Sequence, residues 1–164
     1  MKNTVLTSFD EIIEITLHHE GGYVHDPKDL GGETKYGIAK RFYPDVDIKN
    51  LTEDEAKEIY KKDYWDRYKL DEMPTNLQHI YFDMVVNMGA RNAGKIMQKS
   101  CVAKGCDIEV DGIVGSGTRK AIKNCNLEHD RVKAYRIKYY CDLINAKPEQ
   151  EKFFYGWVRR SLEV

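Results

Sequence analysis

The feature of this sequence that most limits its fold is an abrupt change of pattern at Glu20. Before it, apolar side chains recur at the spacing of a core-facing helix, which Ser8 or Asp10 can cap. The helical stripe consists of Phe9, Ile12, Ile13, Thr16 and Leu17. Gly21 and Gly22 follow directly, and a glycine pair supplies a left-handed helix stop. The chain is therefore predicted to place Glu20 at the carboxyl end of its first helix.

The stretch from Glu20 to Ile38 is rich in glycine and acidic side chains, a composition that favours a shaped loop over a core element. Its acidic residues are Glu20, Asp26, Asp29 and Glu33. At a helix carboxyl end, Glu20 faces the negative pole of the macrodipole, which should raise its pKa. A general acid that works near neutral pH needs such a shift, so we interpret Glu20 as a candidate proton donor.

An enzyme that uses a general acid also needs a second group that activates water or stabilises charge at the reacting centre. Asp29 is one candidate, either as a base that orients water or as a carboxylate that stabilises developing positive charge. It is equally interpretable as a turn residue, because Asp suits turns. Thr34 could hold a water through its hydroxyl or be an ordinary strand residue. Asp26 fits the site about as well, so the choice stays open.

The remainder of the chain is mostly helical in pattern. Residues 23–37 predict a β-hairpin or an ordered loop, although a helix from Tyr36 to Phe42 is an alternative. Thr52 and Glu55 form a capping box that starts a helix running toward Trp65. Further helices are predicted over residues 76–88, 93–103, 116–123 and 128–144, and after Pro148. We predict a mainly α fold with a small hairpin or ordered loop near the active site.

Charge and length exclude several classes of protein. The 164 residues carry a formal net charge of −1, whereas a nucleic-acid-binding protein needs a basic footprint. The amino terminus lacks the apolar core of a signal peptide, and no run approaches the ~20 apolar residues of a membrane span. We therefore expect a protein made in the cytoplasm without a membrane anchor.

Metal-binding patterns are weak along the sequence. His18, His19 and His25 flank Glu20 but lack the H-E-x-x-H spacing of a helical zinc site. The cysteines contain no C-x-x-C pair, which argues against a zinc knuckle, and we predict neither a metal nor a cofactor. The four are Cys101, Cys106, Cys125 and Cys141. They are predicted to be free thiols, with a Cys101–Cys106 or Cys125–Cys141 disulfide as the alternative.

Six motifs recur in one order along almost the whole chain. They are E-G-G-Y at 20–23, D-P-x-D-x-G-G-x-T-x-x-G-I at 26–38, Y-W at 64–65, D-x-x-V-N-x-G at 83–89, D-G-x-x-G-x-x-T at 111–118 and G-W-x-x-R at 156–160. Together they resemble the family 108 glycoside hydrolases, the endolysin-type N-acetylmuramidases of phages and prophages. The fifth motif is interpretable as a wall-binding surface or as a turn that places Thr118 in the first turn of a helix.

The resemblance implies a lysozyme-like fold and cleavage of the β-1,4 bond between N-acetylmuramic acid and N-acetylglucosamine. It places the catalytic glutamate at Glu20, and Asp29 and Thr34 are spaced somewhat like the partners in other phage lysozymes. It also implies a catalytic region over residues 1–90 and a peptidoglycan-binding region over 91–164, packed as one unit. The alternative function is a peptidoglycan-binding or secretion-accessory protein without catalysis.

Several polar and aromatic side chains are candidates for sugar binding. They are Tyr23, Asp26, Tyr36, Asn87, Tyr155 and Trp157. Aromatic residues at helical spacing are more often core, and Asn87 is equally interpretable as a helix-terminal residue. The expected partner is bacterial peptidoglycan, reached through a holin pore by a monomeric protein that acts on the wall after release.

Overall fold

The structure is a computed structural model that describes residues 8–20, 22–25 and 32–164, with backbone alone at residues 19, 20, 24 and 25. The chain divides into two compact units, an N-terminal unit that ends at Arg67 and a C-terminal unit that begins at Tyr68. Helices dominate the described part of the chain, so the predicted mainly α class is confirmed. None of the described helices is long and apolar enough to cross a membrane.

Helix α1 (Phe9–Glu20) opens the N-terminal unit and ends where the glycine pair predicts. The Ser8 hydroxyl accepts a hydrogen bond from the Glu11 amide at 3.3 Å, so Ser8 is the cap. Ile12, Ile13, Thr16 and Leu17 are buried. Phe9 makes an edge contact with Trp65, with ring centroids 5.3 Å apart. The predicted apolar stripe therefore faces the core of this unit.

A three-stranded antiparallel sheet follows, formed by β1 (Val24–His25), β2 (Glu33–Lys35) and β3 (Ile38–Ala39) in that order. Tyr36 and Gly37 join β2 to β3 with φ values of 51° and 75°. Two left-handed residues in succession make the tight hairpin turn that matches strand twist. The alternative of a helix from Tyr36 to Phe42 is therefore wrong, because the turn reverses the chain at Tyr36.

Helix α2 (Glu53–Tyr60) begins with the predicted capping box, in which the Glu55 carboxylate accepts from the Thr52 amide at 2.8 Å. It continues as a π-helix (Lys61–Asp66) rather than as an α-helix. Trp65 is buried there, with 2% of its surface exposed. The helix therefore reaches Trp65 as predicted, but its last part is a π-helix.

The C-terminal unit is built around α3 (Thr75–Met88), which packs against α4 (Ala90–Val102) and α6 (His129–Ala146). A short 3₁₀-helix (Leu70–Glu72) precedes α3. Most of α3 is buried on every side, as expected of a central helix. Gly89, with φ of 82°, is the single residue between α3 and α4.

Three further helical segments complete the C-terminal unit. Helix α5 (Ser116–Asn124) packs against α4, and α7 (Phe154–Glu163) packs against α6. Pro148 opens a 3₁₀-helix (Pro148–Phe153) that leads directly into α7, so the predicted last helix has two parts. All four cysteines are free thiols, and burial raises the pKa of Cys101 to about 12.

Candidate functional site

Glu20 is the last residue of α1, in the N-terminal unit. Strand β1 begins at Val24 and pairs with β2, so that Val24 lies opposite Thr34. Helix end and sheet are thus connected by three residues of chain. The Glu20 side chain, Asp26 and Asp29 lie outside the described residues, so their predicted roles remain predictions.

Thr34 lies at the centre of the small sheet, paired with Val24 on one side and Ala39 on the other. Its side chain is half-buried. This position fixes its backbone on both edges, which suits a hydroxyl that must hold a water in one place. The expectation that Thr34 belongs to a strand is confirmed, and its role in catalysis stays a prediction.

Glu33 is a carboxylate in the sheet to which the sequence pattern alone assigns no role. The Tyr23 hydroxyl donates a hydrogen bond to Glu33 Oε1 at 2.9 Å. That bond, together with some burial and the nearby carboxylate charge, raises the pKa of Tyr23. Tyr23 is 40% exposed, and Glu33 holds its hydroxyl. The two side chains therefore form a polar, accessible surface, and Glu33 is the neighbour of Thr34 on β2.

Tyr36 occupies the hairpin turn and is held there by its own carbonyl, which accepts from the Tyr60 hydroxyl at 2.9 Å. Lys35 Nζ lies 5.5 Å from the centroid of the Tyr36 ring, a cation–π distance. The left-handed conformation is uncommon for a residue with a Cβ. Tyr60, at the end of α2, thus anchors this strained turn, in which the Tyr36 side chain is half-buried.

The N-terminal unit also contains an acidic cavity of about 670 Å³ that includes none of the predicted site residues. Its lining residues are Tyr43, Asp45, Val46, Asp47, Asn50, Leu51, Glu55, Glu58, Ile59, Lys62 and Asp63. Hydrogen bonds from Asn50 lower the pKa of Asp47, and those from Thr52 lower the pKa of Glu55. A general acid needs the opposite shift, so these two carboxylates serve turn and helix-cap geometry instead.

In the C-terminal unit, two of the six motifs meet at Asp83. Its carboxylate lies 2.6 Å from Arg136 Nη2 and 3.0 Å from Arg160 Nε. Asp83 belongs to the D-x-x-V-N-x-G motif and Arg160 to the G-W-x-x-R motif, which are 77 residues apart. Arg136 is fully buried, and no motif pointed to it. The two motifs thus share one buried ion-pair network that joins α3, α6 and α7.

Asn87 and Trp157 belong to the same network through Tyr140. The Tyr140 hydroxyl donates to Asn87 Oδ1 at 2.9 Å, and the Tyr140 and Trp157 rings stack 4.8 Å apart. One face of Trp157 is therefore covered, and the amide oxygen of Asn87 is occupied. Tyr155 differs, because it is 79% exposed. Of the two predicted sugar-binding aromatic residues in this unit, Tyr155 is therefore the more exposed to solvent.

The D-G-x-x-G-x-x-T motif is a turn pinned against α4. Gln98 Nε2 donates to Asp111 Oδ1 at 2.8 Å, and Gln98 Oε1 accepts from the Gly112 amide at 2.8 Å. Thr118 lies in the first turn of α5, as one of the two interpretations predicts. The buried Gln98 thus holds the turn against α4 through both the nitrogen and the oxygen of its side-chain amide.

The geometry is that of a mainly α, lysozyme-like protein with a small sheet after its first helix. Residues 13–89 match the model of the family Glycosyl hydrolase 108, and residues 92–162 match a family described as Predicted Peptidoglycan domain. Residues 13–89 of the chain therefore belong to glycosyl hydrolase family 108, as the motifs predict. The two matches place it in a family of glycoside hydrolases that act on peptidoglycan, and therefore on the cell wall.

A solved structure supports the same fold. The chain is similar to SagA of Brucella abortus, with 26% sequence identity and a TM-score of 0.73. The likeness covers 94% of this chain and 90% of SagA, so it extends over both units. No curated protein matches the sequence.

Proposed function

We propose that this protein is a muramidase that cleaves the β-1,4 bond between N-acetylmuramic acid and N-acetylglucosamine, with Glu20 as the general acid. The observation that carries the proposal is the position of Glu20 as the final residue of α1, inside the segment that matches family 108. The partial negative charge of a helix carboxyl end favours the protonated carboxyl, the form that can donate to a leaving oxygen.

The second group is proposed to come from the segment that follows. Asp29 or Asp26 would supply the carboxylate, and Thr34 would hold the attacking water with its hydroxyl. The fixed position of Thr34 between two strands supports this role. Tyr23 directly precedes β1 and Tyr36 directly follows β2, so the antiparallel register places both at the same end of the small sheet, and we propose that they contact the sugar.

The remaining proposed contacts lie in the region that matches the peptidoglycan domain or immediately before it. Tyr155 would provide an open stacking face, Trp157 the part of its ring that stays accessible beside Tyr140 and Phe153, and Asn87 its amide nitrogen for an N-acetyl group. We propose residues 1–90 as the catalytic region and residues 91–164 as the wall-binding region. Release through a holin pore and action as a monomer belong to the same proposal.

The proposal is tested by comparing Glu20→Gln with Glu14→Gln on purified peptidoglycan. Glu14 is an exposed residue of the same helix that pairs with Lys57, so it is a matched control. Loss of the general acid should lower the release of reducing ends by at least ~100-fold, whereas Glu14→Gln should stay within about twofold of the parent.

Both variants should still sediment with sacculi, because wall binding is assigned to other residues. A wild-type cleavage rate in Glu20→Gln would contradict the assignment of the acid. A parent protein that sediments with sacculi but releases no reducing ends would instead support a non-catalytic peptidoglycan-binding protein.

A further inference from the structure

Helices α4 and α5 of the C-terminal unit end next to each other, and each ends in a Schellman motif. At the end of α4, the Cys106 amide donates to the Cys101 carbonyl at 3.1 Å and the Gly105 amide to the Val102 carbonyl at 2.8 Å. Gly105 has a φ of 87°, the left-handed conformation that this motif requires. A Schellman motif brings the side chains of its first and last residues together, which here are Cys101 and Cys106.

The end of α5 repeats this arrangement. The Leu127 amide donates to the Ile122 carbonyl at 3.2 Å and the Asn126 amide to the Lys123 carbonyl at 3.1 Å, with Asn126 at a φ of 47°. Cys125 is the C-cap of this helix. It therefore lies at the carboxyl end of α5, as Cys101 does at the carboxyl end of α4.

The two helix ends are in contact. Lys104, in the turn after α4, donates from Nζ to the Asn126 carbonyl at 3.0 Å and to Glu128 Oε1 at 2.7 Å. The sulfur atoms of Cys101, Cys106 and Cys125 all lie within 4.8 Å of one another. Cys101 is buried, and the other two thiols are half-buried. Of the described residues, this is the one group of three or more histidine, cysteine or acidic side chains close enough to share an ion.

We infer that Cys101, Cys106 and Cys125 form a three-thiolate site for a thiophilic divalent ion of the zinc class. Three sulfurs around a tetrahedral zinc, with Zn–S bonds near 2.3 Å, lie roughly 3.8 Å apart. Closing from a separation of 4.8 Å to that spacing moves each sulfur by at most about 0.6 Å, within reach of side-chain rotation. The separation therefore permits a shared ion without rearranging the backbone.

The electrostatics of the site also favour a cation. Two helix carboxyl ends converge there, and each presents the negative pole of its macrodipole. Three thiolates around a divalent ion leave one net negative charge, and Lys104, in the turn between Cys101 and Cys106, brings a positive charge that it shares with Glu128. Since no fourth histidine, cysteine or acidic ligand joins the group among the described residues, a water would complete the tetrahedron.

The spacing of the cysteines along the chain does not reveal this site. Four residues separate Cys101 from Cys106, and eighteen separate Cys106 from Cys125. The fold brings Cys125 to the pair through the turn that Gln98 fastens to α4. A bound ion would fasten the ends of α4 and α5 to each other. The expected consequence is a more stable C-terminal unit, independent of how the protein cleaves its substrate.

The experiment measures zinc and cobalt binding to the full-length protein, kept reduced and first stripped with a chelator. Mass spectrometry of the metal content should give one zinc per chain after removal of excess ion. Cobalt should give thiolate-to-metal charge-transfer absorption together with the strong visible bands of a tetrahedral site. Zinc at 100-fold above its dissociation constant should raise the melting temperature by about 5 °C or more.

Three variants assign the ligands. Cys106→Ser and Cys125→Ser should each lower zinc affinity by at least ~100-fold and remove the melting shift, while circular dichroism confirms that they fold. Cys141→Ser is the matched control, because Cys141 is exposed on α6 and lies outside the cluster. It should keep the parent's stoichiometry and shift. Failure of the reduced parent to bind zinc at micromolar concentration, or equal loss in Cys141→Ser, would overturn the inference.

Discussion

Asp83 carries a carboxylate into the interior of the C-terminal unit, where 3% of its surface is exposed. Arg136 beside it is completely buried and depends on Asp83 for compensation of its charge, whereas Asp83 is also paired with Arg160. Nη1 of Arg136 has no hydrogen-bond partner among the described residues, which leaves the guanidinium especially dependent on Asp83. The buried ion-pair network therefore gives the motifs around residues 83 and 160 a packing role.

Replacing Asp83 with Asn removes the charge that compensates Arg136. We expect Asp83→Asn to lower the free energy of unfolding by about 3–5 kcal/mol, as measured by urea denaturation. Asp142→Asn is the control, since Asp142 makes an exposed pair with Lys138 at 3.0 Å and its loss should cost under about 0.5 kcal/mol. Equal effects in the two variants would show that the buried pair adds nothing.

Sequence signals predict the position of a residue correctly where its contacts are with residues nearby in the chain. The Ser8 cap, the Glu20 helix end and the reciprocal bonds of Thr52 and Glu55 all follow from neighbours within a few positions. The ion pair of Asp83 with Arg160 depends on the approach of α3 and α7, so no local pattern encodes it. The same is true of the partnership between Asn87 and Tyr140.

Helix α4 and the turn over residues 105–115 pack so closely that glycine is required on both sides. A Cβ at Gly94 would lie 2.8 Å from the carbonyl carbon of Gly112, and one at Gly112 would lie 2.6 Å from the Arg91 carbonyl oxygen. Both neighbours are backbone atoms that a rotamer change does not move. The glycine of the D-G-x-x-G-x-x-T motif is therefore matched by a second glycine in the facing helix.

This packing predicts whether replacing a glycine with alanine raises or lowers the free energy of unfolding. Gly→Ala inside an exposed helix normally stabilises, but Gly94→Ala should lower the free energy of unfolding by about 1–3 kcal/mol because the methyl group meets backbone. Gly117→Ala in α5 is the control: its Cβ meets nothing within 4 Å, so it should stabilise by about 0.4–1 kcal/mol. Thermal unfolding of both variants would decide, and stabilisation by Gly94→Ala would contradict the close approach.

Element boundaries were predictable where a stop signal is strong and were not where burial decides the geometry. Glycine and proline marked the ends of α1 and α3 and the start of the segment at Pro148. The π-helix over Lys61–Asp66 has no such signal, since Trp65 is placed by packing rather than by propensity. The reversal at Tyr36 was ambiguous because a non-glycine residue occupies the left-handed position.

The molecule as a whole is expected to lose stability in mild acid. Burial lowers the pKa of both His79 and His129 from 6.5, although Asp83 opposes the shift at His79 and Asp130 at His129. Neighbouring Lys133 lowers both, and Arg136 also lowers that of His79. An imidazole whose pKa is depressed by folding binds its proton more readily in the unfolded chain. Stability is therefore fully present above pH 6.5 and falls as pH drops below it.

Urea unfolding between pH 7.5 and 5 tests this dependence. We expect the free energy of unfolding to fall with decreasing pH, by no more than about 1.4 kcal/mol per pH unit for each imidazole. His79→Gln should flatten the profile while leaving stability above pH 7 close to that of the parent. An unchanged slope in His79→Gln would exclude His79 as a source of the acid sensitivity.

The chain combines a segment that matches family 108 with one that matches a peptidoglycan domain. The proposed chemistry depends on Glu20, which lies inside the first segment at the end of α1, shortly before the small sheet. The most direct test is mass spectrometry of the muropeptides released from purified peptidoglycan by the parent and by Glu20→Gln. The account predicts fragments ending in a reducing N-acetylmuramic acid from the parent and none from the variant. Fragments ending in N-acetylglucosamine or anhydro-muramic acid, or equal yields from Glu20→Gln, would contradict it.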